Sequence, residues 1–229
     1  FGESKITEEL FLKANFDLSF VKDKSVLVIG GGPSSENLND KIIDSYDFIF
    51  SCNHFFKNNF LKKRRVDFAL IGDEINFNDK DFVEYIAKYN TILGFEHSSK
   101  RSTINLINLK ENYPKSFIYL TRYFSRLGYA PRACVLSRLF GANKVDFIGI
   151  DGFKDKRDSH FFEKSKSPPP FNDDKEFIDQ MKIFCKYMLS DLKIKPENFN
   201  DLSEGTLYSG ILDKAKEELW KQHFVILAK

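Results

Sequence analysis

Short runs of apolar, β-branched and aromatic residues alternate along this chain with amphipathic segments, and this alternation restricts the fold most strongly. Runs of four or five such residues are typical of buried strands. Strands that alternate with helices form a parallel sheet covered on both faces. The sequence therefore predicts an α/β fold with a mainly parallel sheet. The predicted strands are Val26–Ile29, Phe48–Phe50, Phe68–Ile71, Thr91–Phe95, Phe117–Leu120 and Val145–Ile148.

Segments with helical spacing lie between and after these strands. The predicted helices are Ser35–Ile43, His54–Lys62, Asp81–Lys88, Ser102–Lys110, Pro131–Phe140 and Asp173–Leu189. Residues 1–24 precede the alternation, and we expect them to form a helical lead-in outside the sheet. Residues 25–229 are expected to form a single domain. Within it, residues 152–174 carry many charges and Pro168–Pro170, so they predict a long loop or lid after the last core strand.

Composition excludes some classes of function. The 229 residues carry a formal net charge of +2, which gives no electrostatic footprint for DNA or RNA. Cys52, Cys134 and Cys185 lack metal-site spacing and are interpreted as free thiols of a reducing compartment. No apolar run is long enough to cross a bilayer and no signal-peptide pattern is present. We therefore expect a cytoplasmic protein, and the start at Phe1 leaves a longer parent protein open.

Three consecutive glycines follow the first predicted strand. Glycine runs are costly in chain entropy and are kept where the backbone bends sharply or approaches something closely. A strand, a glycine loop and a helix form an arrangement that binds phosphate. The candidate phosphate-binding residues are Gly30, Gly31, Gly32, Pro33, Ser34 and Ser35. A tight turn against the next helix, with no ligand, is the alternative.

The same loop departs from two common nucleotide-binding patterns. Ser35 stands where a G-x-G-x-x-G loop has its last glycine, and the lysine of a Walker loop is missing. A dinucleotide site and an ATPase site of those types are therefore disfavoured. Pro33 suits a first helical turn, and Ser34 or Ser35 could cap it.

Polar residues follow three other predicted strands. Asn53 follows the second strand, Asp73 the third, and Gly149 and Asp151 the last. The carboxyl ends of the strands line the ligand crevice in an open parallel sheet. Asn53 could bind a base or ribose and Asp73 a hydroxyl group, although each could also be a turn former.

His160 lies in the long loop, between Asp158 and Glu163. Imidazole titrates near neutral pH and could take a proton from a hydroxyl acceptor. No nucleophile motif accompanies it. The pattern Asp79-Lys80-Asp81 could suggest a metal site but lies at a predicted helix start, where Asp79 is expected to act as an N-cap. No metal site is predicted.

Three segments together resemble the CMP-sugar-using sialyltransferase superfamily of bacteria. They are VLVIGGGPSSENLNDKIIDSYDFIFSCNHF, SRLGYAPRACVLSRLFGANKVDFIGID and SHFFEK. The first resembles the family's G-x-GPS opening, the second its strand ending in GID, and the third its histidine motif, which is also similar to H-Y-Y-E of animal sialyltransferases. The order and spacing agree over most of residues 25–190.

The resemblance implies a Rossmann-like domain that transfers a sialic-acid-like sugar from a CMP donor, with inversion and without an obligatory metal or other cofactor. Gly30–Gly32 and Ser34 would approach the phosphate, Asn53 would contact the nucleotide, and His160 would be the general base. Arg126 matches a basic position near the phosphate or sugar carboxylate. The remaining positions assigned to the nucleotide site are Gly128, Tyr129, Gly149, Asp151 and Phe153.

Two departures leave the donor sugar open. The chain has Leu127-Gly128-Tyr129-Ala130 where the bacterial enzymes have Thr-Ser-Gly, and Phe153 stands where a tyrosine is expected. Phenylalanine cannot donate a hydrogen bond to a leaving phosphate. The run from Phe199 to Gly205 also resembles motility accessory factors and the pterin-pyrophosphokinase-like domain. An ATP- and magnesium-dependent diphosphokinase using Asp73 and Asp151, or a non-catalytic nucleotide-binding domain, are therefore the alternatives.

The resemblance also implies partners and a location. The acceptor would be a bacterial surface glycan, free or lipid-linked, and nucleic acid is not expected. A lipid-linked acceptor would place the protein in peripheral contact with the inner face of the membrane. Related enzymes tend to assemble, so a homo-oligomer is expected.

Overall fold

The described strands form one parallel sheet. The computed structural model describes residues 17–96, 103–119, 126–151, 174–203 and 211–218. In these ranges seven strands lie in the order β5-β4-β3-β2-β1-β6-β7, and every pair is parallel. The strands are β1 Ser25–Ile29, β2 Phe48–Cys52, β3 Phe68–Ile71, β4 Ile92–Glu96, β5 Ser116–Tyr119, β6 Lys144–Ile148 and β7 Phe199–Asp201. The predicted α/β, Rossmann-like fold is confirmed.

Helices connect the strands. The α-helices are α1 Asp40–Ile43, α2 Lys80–Tyr89, α3 Thr103–Asn112, α4 Tyr129–Leu139, α5 Asp174–Lys186 and α6, which covers 211–218. A π-helical turn, Tyr187–Asp191, extends α5. Short 3-10 turns lie at Leu18–Val21, Pro33–Asn37, Phe55–Lys57, Leu61–Lys63 and Pro196–Asn198. Asp79 caps α2 by accepting a hydrogen bond of 3.0 Å from the N–H of Asp81, so the N-cap interpretation is confirmed.

The two faces of the sheet carry two separate parts of the core. Alternate residues of β1 point to opposite faces, as strand geometry requires. Val26 and Val28 belong to the cluster that contains α4 and α5, whereas Leu27 and Ile29 belong to the cluster that contains α2 and α3. Because both faces are covered, most residues of β1 and of β3 to β6 are buried and apolar. This burial explains why the sequence predicted them well.

The chain reverses its direction of winding beside β1. Strands β2 to β5 add on one side of β1, and β6 and β7 add on the other side. The carboxyl ends of β1 and β6 are therefore neighbours at a topological switch point, the place where open α/β sheets form their ligand crevice. The loops after these two strands are the glycine run and Gly149–Asp151.

Several predicted elements differ from the structure. The helix predicted over Ser35–Ile43 is broken into the turn Pro33–Asn37 and α1. The prediction of a helix over His54–Lys62 is wrong, since two 3-10 turns lie there. Strand β7 was not predicted. Of the lead-in over 1–24, residues 17–24 contain the 3-10 turn Leu18–Val21 and the rest lies outside the described residues, as does most of the loop 152–174.

Replacing Phe184 on α5 is expected to destabilise the fold strongly. Phe184 is fully buried and its ring contacts those of Phe147 and Phe199, so it joins α5 to β6 and β7. Phe184→Ala should reduce the free energy of unfolding by about 3–5 kcal/mol, measured by urea denaturation. The neighbouring Ile183 is 52% exposed, and Ile183→Ala should change it by less than about 1 kcal/mol. Equal losses in both variants would contradict this packing of α5.

Candidate active site at the switch point

The glycine run lies against the loop after β6. The N–H of Gly30 donates to the carbonyl of Ile148 at 2.8 Å, and the N–H of Gly32 donates to that of Gly149 at 2.9 Å. A Cβ atom on Gly30 would overlap the Gly149 carbonyl, and one on Gly32 would lie 2.5 Å from Asp151 Oδ2. Gly30 and Gly32 are therefore required by the close approach of the two loops, and the group that comes so close is the neighbouring strand end.

Ser34 and Asp151 join the two loops through a buried network. Asp151 Oδ2 accepts a hydrogen bond of 2.6 Å from the N–H of Ser34, and Oδ1 accepts one of 2.6 Å from its hydroxyl group. The N–H of Gly149 donates to the same hydroxyl at 2.9 Å. Ser203, just beyond β7, places its Oγ 3.2 Å from that of Ser34. The side chain of Ser34 thus binds Asp151 instead of capping the helical turn, whose N-cap is Gly32.

This network occupies most of the N–H groups that a phosphate would need. Those of Gly30, Gly32 and Ser34 are bonded as described, and that of Ser35 donates to the Gly32 carbonyl at 3.0 Å. Gly31 is half-exposed and is the one glycine of the run whose N–H makes no hydrogen bond with a described residue. Pro33 is exposed, whereas Ser35 is fully buried and its hydroxyl has no hydrogen-bond partner among the described residues.

The N-terminus of α4 opens at the same edge of the sheet and is uncapped. Gly128, with φ of +87°, is the N-cap residue and supplies no side-chain hydrogen bond. A Cβ atom there would meet no other described residue within 4 Å, so none of these residues fills the space beside it. The first N–H groups of a helix have no partner within the helix. Tyr129 and Ala130 begin α4 and supply such groups, whereas Pro131 has none.

Asn53 connects the ends of β2 and β3. Its φ of +47° is in the left-handed region, which asparagine tolerates better than most residues. Its Oδ1 accepts a hydrogen bond of 2.7 Å from the N–H of Gly72, and its Nδ2 donates to Glu74. A Cβ atom on Gly72 would lie 2.7 Å from the ring of Tyr129. Asn53 therefore shapes the strand ends beneath the N-terminus of α4.

Sequence reasoning missed Arg132, in the first turns of α4. Its guanidinium pairs with Glu96 at the end of β4, and both side chains are only 14% exposed. It also lies 5.1 Å from the ring centroid of Tyr129, within cation–π range. Its Nε is buried and makes no hydrogen bond with a described residue. An arginine in a run of small and apolar residues, APRACVL, is the signal that could have found it.

Asp201 and Ser203 add a third strand end to the switch point. The N–H of Ser203 donates to Asp201 Oδ1 at 2.9 Å. Burial, reinforced by the charge of Asp151, raises the pKa of Asp201 to about 6. Both residues belong to the FNDLSEG run, whose resemblance to other families was the only signal for them.

Other predicted site residues lie apart from this network. Asp73 is exposed and lines a separate cavity of about 480 Å³ beside α3. Arg126 pairs with Glu176 of α5, and its N–H lies 3.4 Å from Gln180 Oε1. His160 and Phe153 lie outside the described residues, so their roles stay predictions.

The described residues contain no group of three or more His, Cys, Asp and Glu side chains that could hold a metal ion. None of the helices within the described ranges has the length and apolar character needed to cross a membrane.

Comparisons with known proteins give a match in structure. No protein-family model matches the chain, and no curated protein sequence matches it either. Seven chains of solved structures do match. One of them, the crystal structure of a mammalian sialyltransferase, matches with a TM-score of 0.53 and 14% identity over 87% of this chain and 78% of that chain. At this identity the likeness shows the fold: the chain has a sialyltransferase-like α/β fold.

The raised pKa of Asp201 predicts a pH-dependent stability. Its carboxyl group keeps its proton up to about pH 6 in the native state but loses it near pH 4 when unfolded. Since the native state binds more protons between these values, ionisation of Asp201 reduces stability as the pH rises through this range. Asp201→Asn removes that penalty and should be more stable than wild type by about 1–2 kcal/mol near pH 7.5, with little difference near pH 4.

Thermal unfolding of both proteins across this pH range measures the difference. Asp179 is exposed on α5, so Asp179→Asn serves as the control and should follow the wild-type pH profile. A constant difference between Asp201→Asn and wild type at every pH would contradict the raised pKa.

Proposed function

We propose that the chain is a glycosyltransferase that moves a sialic-acid-like or related acidic sugar from a CMP donor to a bacterial surface glycan. The sialyltransferase-like fold supports this class of enzyme. The observation that carries the proposal is a crevice at the carboxyl edge of the sheet, beside the switch point, where the N-terminus of α4 and Arg132 meet the ends of β2, β3 and β4. Both features favour an anionic ligand.

In this proposal the donor phosphate binds at the N-terminus of α4. The N–H group of Ala130 in the first turn of α4, and the space beside Gly128 that no described residue fills, suit an oxyanion there. The glycine run supplies at most the N–H of Gly31, because its neighbours already bond to the loop after β6. The run therefore acts mainly as a rigid wall of the site.

Departure of the CMP group requires stabilisation of the charge that develops on its phosphate. The sequence has Phe153 where the resemblance expects a tyrosine. Tyr129 is half-buried at the crevice, and its phenol group can donate the hydrogen bond that phenylalanine cannot. The guanidinium of Arg132 beside it supplies a positive charge. His160 would take the proton of the acceptor hydroxyl, and the resemblance to CMP-sugar-using enzymes implies a transfer without an obligatory metal ion.

The alternatives make different demands. A diphosphokinase would bind ATP with magnesium and would need Asp151 as a metal ligand, yet both oxygens of Asp151 bind Ser34. A non-catalytic domain would bind the nucleotide and leave a CMP-sugar intact. The proposed acceptor, lipid-linked or free, and contact with the inner face of the membrane belong to this same proposal, as does homo-oligomer formation.

A nucleotide panel tests the class of donor. CMP should raise the melting temperature without magnesium, because a ligand that binds only the native state stabilises it; saturation at about 100 times Kd adds about 2.7 kcal/mol. UDP, ADP and ATP should give smaller shifts, with or without magnesium. A larger shift with ATP and magnesium than with CMP would reject the proposal in favour of the diphosphokinase.

Replacement of His160 tests the mechanism separately. His160→Ala should reduce CMP-sugar turnover by about 100-fold or more, since a positioned general base contributes that much. Its thermal shift with CMP should equal that of wild type. His223→Ala, a change in the charged C-terminal segment, is the matched control and should keep full turnover. Unchanged turnover in His160→Ala would end the assignment of the base.

A further inference from the structure

A cavity opens beside the loop that follows β3. It has a volume of about 480 Å³ and lies between the loop after β3 and one side of α3. Ligand sites in proteins typically have volumes of about 300–1,000 Å³, so the cavity is large enough for a small molecule. Asp73 and Phe77 line it from the loop, and three asparagines with Leu109 line it from α3.

The asparagines form one stripe of α3. Asn105, Asn108 and Asn112 are spaced by three and four residues, which places them on one side of the helix, and all three are exposed. Asparagine is a poor helix former, worth about 0.5 kcal/mol less than alanine per site. Helix stability therefore does not explain three asparagines on one face of ten residues. The amides of Asn108 and Asn112 each carry two donors and one acceptor, which suits hydroxyl groups.

The cavity also has a firm apolar surface. Phe77 is half-buried, and its ring contacts those of Phe82, Phe95 and Tyr113, which hold it in place. Leu109 is half-buried on α3, between the asparagines. A surface that combines amides with a fixed aromatic ring suits a sugar, which presents hydroxyl groups on its rim and C–H groups on its faces.

The charge of the lining selects among sugars. Asp73 is exposed and is the one charged residue among the described residues that line the cavity. An anionic sugar or a phosphate would be repelled by its carboxylate, whereas a neutral sugar can donate hydroxyl hydrogen bonds to it. The cavity therefore differs in charge from the crevice at α4, where Arg132 lies.

The position of the cavity connects it to that crevice. Asp73 directly follows Gly72, whose N–H is held by Asn53. Gly72 directly follows β3, which lies two strands away from β1, a distance of about 10 Å across the sheet. Both openings thus lie at the carboxyl edge of one sheet.

From these observations we propose that the cavity lined by Asp73, Phe77 and the asparagines of α3 binds a neutral, hydroxyl-rich sugar and is the acceptor subsite of the transferase. The assignment to the acceptor rests on the proposed function. The binding of a neutral sugar does not, because it can be measured without any donor.

Saturation-transfer NMR on the wild-type protein tests binding directly. The probes are lactose, maltose and cellobiose, with methyl β-D-glucuronide as the anionic comparison. At least one disaccharide should receive saturation at millimolar concentration, and the glucuronide should not. No transfer to any of the three disaccharides, or stronger transfer to the glucuronide, would overturn the inference.

Asparagine replacements place the bound sugar in this cavity. The double change Asn108→Ala and Asn112→Ala should weaken disaccharide binding by about 2- to 10-fold per lost amide. Alanine improves helix propensity, so weaker binding would not come from loss of α3. Asn143→Ala is the matched control, because Asn143 is exposed just before β6, at the opposite edge of the sheet. Equal binding in wild type and the double variant would overturn the location.

Asp73→Asn tests the selection by charge. The amide keeps the shape of the carboxylate but removes its negative charge, so the variant should bind methyl β-D-glucuronide measurably better than wild type. Neutral disaccharides should change by less than about 3-fold. Continued exclusion of the glucuronide would show that Asp73 does not set the selectivity.

The nucleotide panel separates the two proposals. If CMP fails to shift the melting temperature while the disaccharides bind through the asparagines, the cavity stands as a sugar site and its assignment to a CMP-dependent acceptor falls. If CMP binds and the asparagine variants leave both sugar binding and the acceptor KM unchanged, the donor proposal stands and the cavity assignment falls.

Discussion

The carboxylate of Asp151 holds together the part of the fold on which the site depends. Its two oxygens take the N–H and the hydroxyl of Ser34, and the N–H of Gly149 bonds to that same hydroxyl. Hydrogen bonds to a charged acceptor are stronger than neutral ones, and burial strengthens them further. The loops after β1 and β6 are thereby fixed against each other at contact distance, and this leaves no room for side chains at Gly30 and Gly32.

Most of the sheet could be predicted from the sequence because buried parallel strands have continuous apolar runs in their sequences. It could not predict local competition for the backbone. Between β2 and β3, the buried side chain of Asn58 accepts hydrogen bonds from the N–H groups of Phe60 and Leu61, which favours short turns over the predicted helix. Strand β7 has three residues, two of them Asn200 and Asp201, which are rarely strand formers. It forms because Asn200 bonds to buried Asp146 and Phe199 packs on Phe147.

The candidate site likewise has residues that the sequence could identify and contacts that it could not. Positions directly after predicted strands, such as Asn53 and Asp151, could be found because strand ends meet at one edge of the sheet. The partners of these residues depend on tertiary contacts that no local pattern contains. The sequence could not tell that the glycines approach another loop, or that Arg132 of α4 pairs with Glu96 at the end of β4. It could not tell that Asp73 would face a helix rather than the nucleotide crevice.

The charged residues along the carboxyl edge of the sheet suggest where the donor and the acceptor of the proposed reaction bind. A mostly buried guanidinium is costly without a partner, so Glu96 keeps Arg132 in place while no anion is bound. An anionic donor at the N-terminus of α4 would share that guanidinium with Glu96, since its Nε makes no hydrogen bond with a described residue. On the other side of Gly72 the charged residue is the carboxylate of Asp73, which would disfavour an anionic donor there. The donor and a neutral acceptor are thus expected to occupy opposite sides of Gly72, with the bond to be formed between them.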